Sequence, residues 1–163
     1  MKIIDRNYQK EQDYDKVLSF LRREYETDPH YPGWKAQRFE DMEYRLNTMY
    51  ICMGSEPWHP CVHLWEEDGA IVGLCVGERK GENFFYVKKG YEFLYPQMVE
   101  WTKNNMFVEE HGRREHTFWV CDVQRELIDI LQSQQFERSD CDVHLMEHAM
   151  TDIQEPTLPE GFR

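Results

Sequence analysis

This 163-residue chain has no run of 18 apolar residues, no CxxC pair and no more than two basic residues in succession. The first absence removes the signature of a membrane-spanning helix. The opening MKIIDRNYQKEQD also lacks the apolar centre of a secretory leader, so the expectation is a soluble, cytoplasmic protein. The second absence argues against a disulfide framework or a redox pair. The five cysteines (Cys52, Cys61, Cys75, Cys121, Cys141) are odd in number, and several lie in strand-like runs, which suits reduced core thiols. The third bears on partners. Lys and Arg total 19 against 31 Asp and Glu, a formal charge of −12, and short basic clusters such as Arg22-Arg23, Lys88-Lys89 and Arg113-Arg114 are well separated. Such a surface repels nucleic acid and anionic lipid, so neither is an expected partner. There is no internal repeat either.

What is present suffices for one folded domain, expected over residues 1–150. The composition is 40% hydrophobic and 14% aromatic, enough for a core. Ile3 and Ile4 open a strand at 2–7. Tyr14, Val17, Leu18, Leu21 and Tyr25 then follow a helical period until Asp28-Pro29 and Pro32-Gly33 end it. A second helix is predicted at 34–47, with Phe39, Met42 and Leu46 on one face. Residues 61–66 and 70–78 read as a hairpin joined through Glu67-Asp68-Gly69. A strand at 83–87 leads to a helix at 91–105 with Phe93, Leu94, Met98 and Trp101 inward. A polar loop from Glu109 to Glu115 precedes a strand at 116–121. Asp122 is the expected N-cap of a helix carrying Val123, Leu127, Ile130 and Leu131. A last strand is expected at 141–149, and 151–163 reads as a tail or linker. The β-α-α-β-β-β-α-β-α-β order predicts an α/β (α+β) fold, a mixed sheet flanked by about four helices. The crossover from 83–87 to 116–121 is long enough to join parallel neighbours.

The junction Asn83-Phe84-Phe85-Tyr86-Val87-Lys88-Lys89-Gly90-Tyr91 runs from strand through turn into helix. A helix start of this kind offers unpaired N–H groups to an anion. Beyond Gly90 the chain reads Tyr91-Glu92-Phe93-Leu94-Tyr95-Pro96-Gln97, with a carboxylate, a proline and no further glycine.

The element order, together with "DYDKVLSFLR", "GAIVGLCVGE" and "LIDILQSQQFERSD", resembles the GNAT superfamily of acyl-CoA-dependent N-acetyltransferases over residues 2–149. The resemblance implies a mostly antiparallel sheet with a splayed parallel pair. It also implies acetyl-CoA as cofactor and transfer of its acetyl group to a small-molecule or peptide amine. In that family the fourth strand ends in a valine followed by Q/R-x-x-G-x-G/A, whose glycines bring backbone N–H groups close to the pyrophosphate. Val87 matches the valine, while Glu92, Tyr95 and Gln97 stand at the Q/R position and the two glycines. The implied cofactor-binding set is Phe85, Val87, Lys88, Lys89, Gly90, Glu92, Tyr95, Gln97 and Gln124, the last where the family often has asparagine. Leu131 stands where members with a tyrosine acid carry it. Glu78 and Glu82, at strand ends, are the general-base candidates. The terminal "TLPEGFR" is similar to the first strand of another such domain, which implies a degenerate amino-terminal half of a tandem protein, paired with a sister domain or dimerised. An ordinary tail is the alternative.

Other constellations carry less. His59-x-Cys61-x-His63 would place alternate residues on one strand face, but no second ligand pair at a zinc spacing accompanies it, so no metal is expected. His144 and His148 read as polar-face residues. Cys121 beside Asp122 is expected to be a core thiol, since an adjacent carboxylate blunts a nucleophile. Packing in core and cleft accounts for most of Phe84, Phe85, Tyr86, Tyr91, Phe93 and Tyr95, and an apolar surface for a partner domain for the rest.

Overall fold

The structure is a computed structural model and describes residues 2–28, 34–46, 49 and 57–141. The elements are β1 (Ile3–Asn7), α1 (Lys10–Thr27), α2 (Ala36–Asp41), β2 (Val62–Glu67), β3 (Ala70–Val76), β4 (Glu82–Val87), α3 (Tyr95–Asn105), β5 (Val108–Glu110), β6 (Arg113–Glu115), β7 (Thr117–Trp119) and α4 (Arg125–Ser133). Five strands form one sheet in the order β1-β2-β3-β4-β7. The first three pairings are antiparallel and β4–β7 is parallel, giving the expected α+β fold.

Alternation along the strands divides the interior into two cores. Val62, Leu64, Leu74 and Tyr86 face α1 and α2, where Val17, Leu18, Phe20, Leu21 and Phe39 pack. Trp65, Cys75, Phe85 and Val87 face α3 and α4, against Met98, Val99, Leu127 and Leu131. The sheet is therefore covered on both sides, which explains the near-continuous apolar run of β3. The β2–β3 hairpin turns on Asp68 (φ 50°) and Gly69 (φ 79°), two left-handed residues as a two-residue hairpin requires.

Several expected details differ. In α1 the inward position is Glu24, and Tyr25 is 47% exposed. The second helix changes after Asp41 into a π-helical turn, Met42–Leu46, that buries Met42. The side chain of Leu46 lies outside the described residues. The segment Glu109–Glu115 is not a loop but contains most of a β5–β6 hairpin closed by His111 and Gly112, both at positive φ. Its charged strands carry no apolar alternation. The expected helix at 91–105 is a 3₁₀ turn, Glu92–Leu94, followed by α3. This places Phe93 outward at 63% exposure. Asp122 does not cap α4. A turn in which the Gln124 N–H donates to the Cys121 carbonyl delays the helix to Arg125, leaving Val123 exposed. The strand expected at 141–149 and the tail at 151–163 lie outside the described residues, Cys141 apart.

Among the described residues no helix is long and apolar enough to cross a membrane. Of the cysteines described, Cys61 and Cys75 are buried, Cys121 is half-buried and Cys141 exposed, and all four are free. Cys52 lies outside the described residues.

Candidate functional site at the β4–β7 junction

The parallel pair is short. Glu82, Asn83 and Phe84 pair with Thr117, Phe118 and Trp119, after which the strands part. The closed end is stitched by Asn83, whose buried amide donates to the Thr117 carbonyl at 3.2 Å. At the open end β4 continues through Phe85, Tyr86 and Val87, still paired with β3 but no longer with β7.

That opening is occupied by side chains. The Gln124 carboxamide accepts from the Cys121 N–H at 2.9 Å and donates to the Phe85 carbonyl at 3.3 Å. It thus bridges the separated strands where ladder hydrogen bonds have ceased. The same Nε2 donates to the Tyr95 hydroxyl at 3.4 Å. Tyr95 is only 4% exposed and packs in the α3–α4 core. Burial raises its phenol pKa above the ordinary value, against the opposing hydrogen bond from Gln124. The hydroxyl therefore stays protonated at neutral pH.

The loop after β4 spends its own N–H groups. The Lys88 N–H donates to Val72, that of Tyr91 to Lys88, and that of Leu94 to Tyr91. The Tyr95 N–H donates to Glu92, and Pro96 has none to offer. The 3₁₀ turn thus satisfies donors that a bare helix start leaves open. Gly90 lies at φ 91°, and its N–H donates to the Glu92 carboxylate at 2.8 Å. Leu94 seats the turn on β3. A Cβ at Gly73 would stand 3.3 Å from Leu94 Cδ1 and 3.2 Å from Trp65 Cβ, so only glycine admits this approach without displacement. Tyr91 donates its hydroxyl to Glu67 at 2.5 Å, and the Lys88 ammonium lies 5.7 Å from the Tyr91 ring centre. Lys88, Lys89 and Gly90 are exposed.

Phe85, Val87, Lys88, Lys89, Gly90, Glu92, Tyr95 and Gln124 therefore gather around one end of β4, whereas exposed Gln97 turns to β1 and donates to Asp5 at 3.4 Å. Glu78 and Glu82 lie around the β3–β4 turn, at the closed end of the pair. Glu78 is ion-paired with Arg38, which also donates through Nε at 2.9 Å. Glu82 accepts from Arg79 at 3.0 Å. Each carboxylate is held by a cation.

Three polar clusters were not singled out by the sequence. Arg6 binds Asp13 at 2.6 and 2.7 Å and Glu66 at 2.7 and 2.9 Å. Glu43, fully buried in the π turn, meets Lys10 at 2.6 Å and His59 at 3.0 Å. His63 places its two ring nitrogens on Asp5 (3.0 Å) and Asn7 (2.9 Å), and its ring stacks on Trp101. Burial lowers the His63 pKa, against the pull of Asp5. His63 also stands opposite Cys75 in the β2–β3 register. Both imidazole nitrogens are engaged elsewhere, so no thiol–imidazole pair forms. His59 and Cys61 lie in a 3₁₀ turn rather than a strand, which separates the three residues of the HxCxH run. Among the described residues the one metal-type grouping is Glu110, His111 and Glu115, exposed on the β5–β6 hairpin, where carboxylates are solvated.

No family model matches the sequence, and no curated protein sequence matches it. Solved structures do. A predicted acetyltransferase from Clostridium acetobutylicum, solved with acetyl-CoA, aligns with a TM-score of 0.51 and 10% identity over 89% of this chain and 96% of that one. A GNAT-family acetyltransferase from Streptococcus pneumoniae gives 0.48 and 17% over 82% and 83%. An aminoglycoside acetyltransferase from an uncultured soil metagenome, in complex with sisomicin, gives 0.44 and 13% over 91% and 95%. At 10% identity the likeness to the clostridial protein is one of fold: the chain shares that acetyltransferase's architecture over most of its length.

Proposed function

We propose that this chain is an acetyltransferase-fold module of the GNAT type whose acetyl-CoA cleft is closed from within, and that it serves as the non-catalytic partner of a sister GNAT domain holding the acyl donor. The observation that carries this reading is the Gln124 carboxamide spanning Phe85 and Cys121, with the Tyr95 hydroxyl against it. A pantetheine arm entering between the strands has to displace that bridge, at roughly 0.5–1.5 kcal/mol for each hydrogen bond lost without replacement. It also has to expel a buried tyrosine. The pyrophosphate would meet the Glu92 carboxylate, which already takes the Gly90 N–H and adds like charge.

Titration calorimetry with acetyl-CoA tests the reading. The chain is expected to give no saturable heat at millimolar ligand. A Glu92→Gln/Tyr95→Gly double variant, its folding checked by circular dichroism, is expected to bind. Saturable heat from the unmodified chain overturns the proposal.

A second reading has its own support. The strands part after Phe84 and Trp119, as a donor cleft needs, and Lys88 and Lys89 stand exposed beside Gly90. On this reading acetyl-CoA binds weakly and an amine attacks the thioester directly, accelerated by proximity. The amine's proton would leave to solvent, since Glu78 and Glu82 stand at the closed end of the pair, each held by an arginine. Thiol release that depends on both acetyl-CoA and an added amine favours this reading over the first.

A further inference from the structure

Among the described residues the two most exposed large apolar side chains are Val123, at 68%, and Phe93, at 63%. They belong to different parts of the chain and stand at the same place. Phe93 is two positions before Tyr95 and Val123 one before Gln124, and the Tyr95 hydroxyl and the Gln124 amide meet at 3.4 Å. The two apolar side chains therefore flank the mouth that this bridge closes. The Tyr91 ring extends the Phe93 side, with ring centres 5.7 Å apart. An apolar rim contributed by two elements marks an interaction surface rather than a stray exposed residue. The charges around it differ from side to side. Lys89 is exposed on the β4-loop side, whereas Asp122 and Glu126 are exposed on the α4 side, flanking Val123 in the chain. None of these three has an ion-pair partner among the described residues.

We propose that this rim is the contact surface of a symmetric dimer, in which a second copy of this chain seats its own Phe93 and Val123 against it. The charge arrangement selects the occupant. A two-fold contact presents the surface to itself in reverse order, so the Phe93 side of one copy faces the Val123 side of the other. Lys89 of each copy then meets Asp122 and Glu126 of its partner, and both rims are compensated. A uniformly basic surface would suit Asp122 and Glu126 but oppose Lys89, and a uniformly acidic one would do the reverse. The charge of −12 on each copy opposes approach, so the dimer is weak and forms with rising concentration. The contact covers the mouth of the cleft without using the groups inside it, and so it holds whether or not the cleft takes acetyl-CoA.

The test is sedimentation velocity of the full chain, without acetyl-CoA, from micromolar to millimolar concentration. The weight-average sedimentation coefficient is expected to rise with concentration toward the dimer value. Phe93→Ser and Val123→Ser alter exposed positions, so both should match the parent's circular dichroism while associating less. Phe93→Ser should weaken the dimer about a hundredfold, because one phenylalanine leaves the contact from each copy. Lys89→Glu and Glu126→Lys should each weaken it about three- to tenfold, two rim pairs being reversed per dimer. Mixed in equal amounts, these two charge variants should recover the parent's association, since every pair between positions 89 and 126 is again of opposite sign. A monomer at every concentration overturns the proposal. So does a dimer that Phe93→Ser leaves unchanged, or a mixture of the charge variants that associates no better than either alone.

Discussion

Arg6 is the residue on which three elements converge. From β1 its guanidinium reaches Asp13 of α1 and Glu66 of β2, and Asp13 also accepts the Gln9 N–H at the helix start. Asp13 is fully buried, which opposes its charge, yet hydrogen bonds from Arg6 and Gln9 hold its carboxyl below the ordinary value. Asp13→Asn leaves a partly buried guanidinium under-compensated and is expected to cost about 3 kcal/mol in urea unfolding. Because the folded pKa lies below the unfolded value near 3.9, the Asp13 contribution is whole above that pH. It is lost as pH falls through the folded pKa. The variant should therefore show a shallower loss of stability than the parent below about pH 4. Gln124 is the corresponding residue at the cleft. Gln124→Leu orphans the Phe85 carbonyl and the Cys121 N–H, and a loss of roughly 1–3 kcal/mol is expected. Retention of full stability would mean that the bridge is incidental.

At the scale of elements, legibility followed the apolar pattern. Strands β2 and β3 were readable because their apolar runs and an Asp-Gly turn point to the same hairpin, and the Asp68-Gly69 geometry bears this out. The β5–β6 hairpin was not, since Val108–Glu110 and Arg113–Glu115 are charged strands without a buried face. The late start of α4 was hidden too, because the Gln124 side chain is held by Cys121 and Phe85 rather than by a local cap. Two predictions belong here. Gly73→Ala drives a methyl against Trp65 and Leu94, so the 3₁₀ turn should shift and stability fall by about 1–3 kcal/mol. An unperturbed Leu94 methyl resonance would contradict this seating of the loop. The β1–β2 ladder is pinned by His63, whose pKa burial lowers. A lowered histidine pKa contributes stability above the unfolded value near 6.5, which is lost as pH falls through the folded one. The protection factors of the β1 amides, measured exchange corrected for the intrinsic rate at each pH, should therefore fall on acidification through this range, and His63→Gln should remove that dependence.

Across the whole molecule the sheet separates two faces with different chemistry. The α3–α4 face holds the β4 loop and the bridge across the parting strands, and the α1–α2 face holds the ion pairs of buried Asp13 and Glu43. The sequence located the first of these as a strand–turn–helix junction and named eight residues that do gather there. The closure was not readable. Gln124 meets Phe85 across 39 positions and Tyr95 across 29, and no local pattern encodes contacts of that range. The rim of Phe93 and Val123 was equally hidden, since it joins the β4 loop to the turn before α4. The proposed closure makes the β4 loop the place to ask what the molecule does. The Gly90 amide resonance reports on it directly, because that N–H is either held by Glu92 or turned to an anion. Titrated with acetyl-CoA to millimolar concentration, Gly90 is predicted to stay in place. A saturable Gly90 shift, with Phe85 and Cys121 moving in step, would contradict a cleft closed from within.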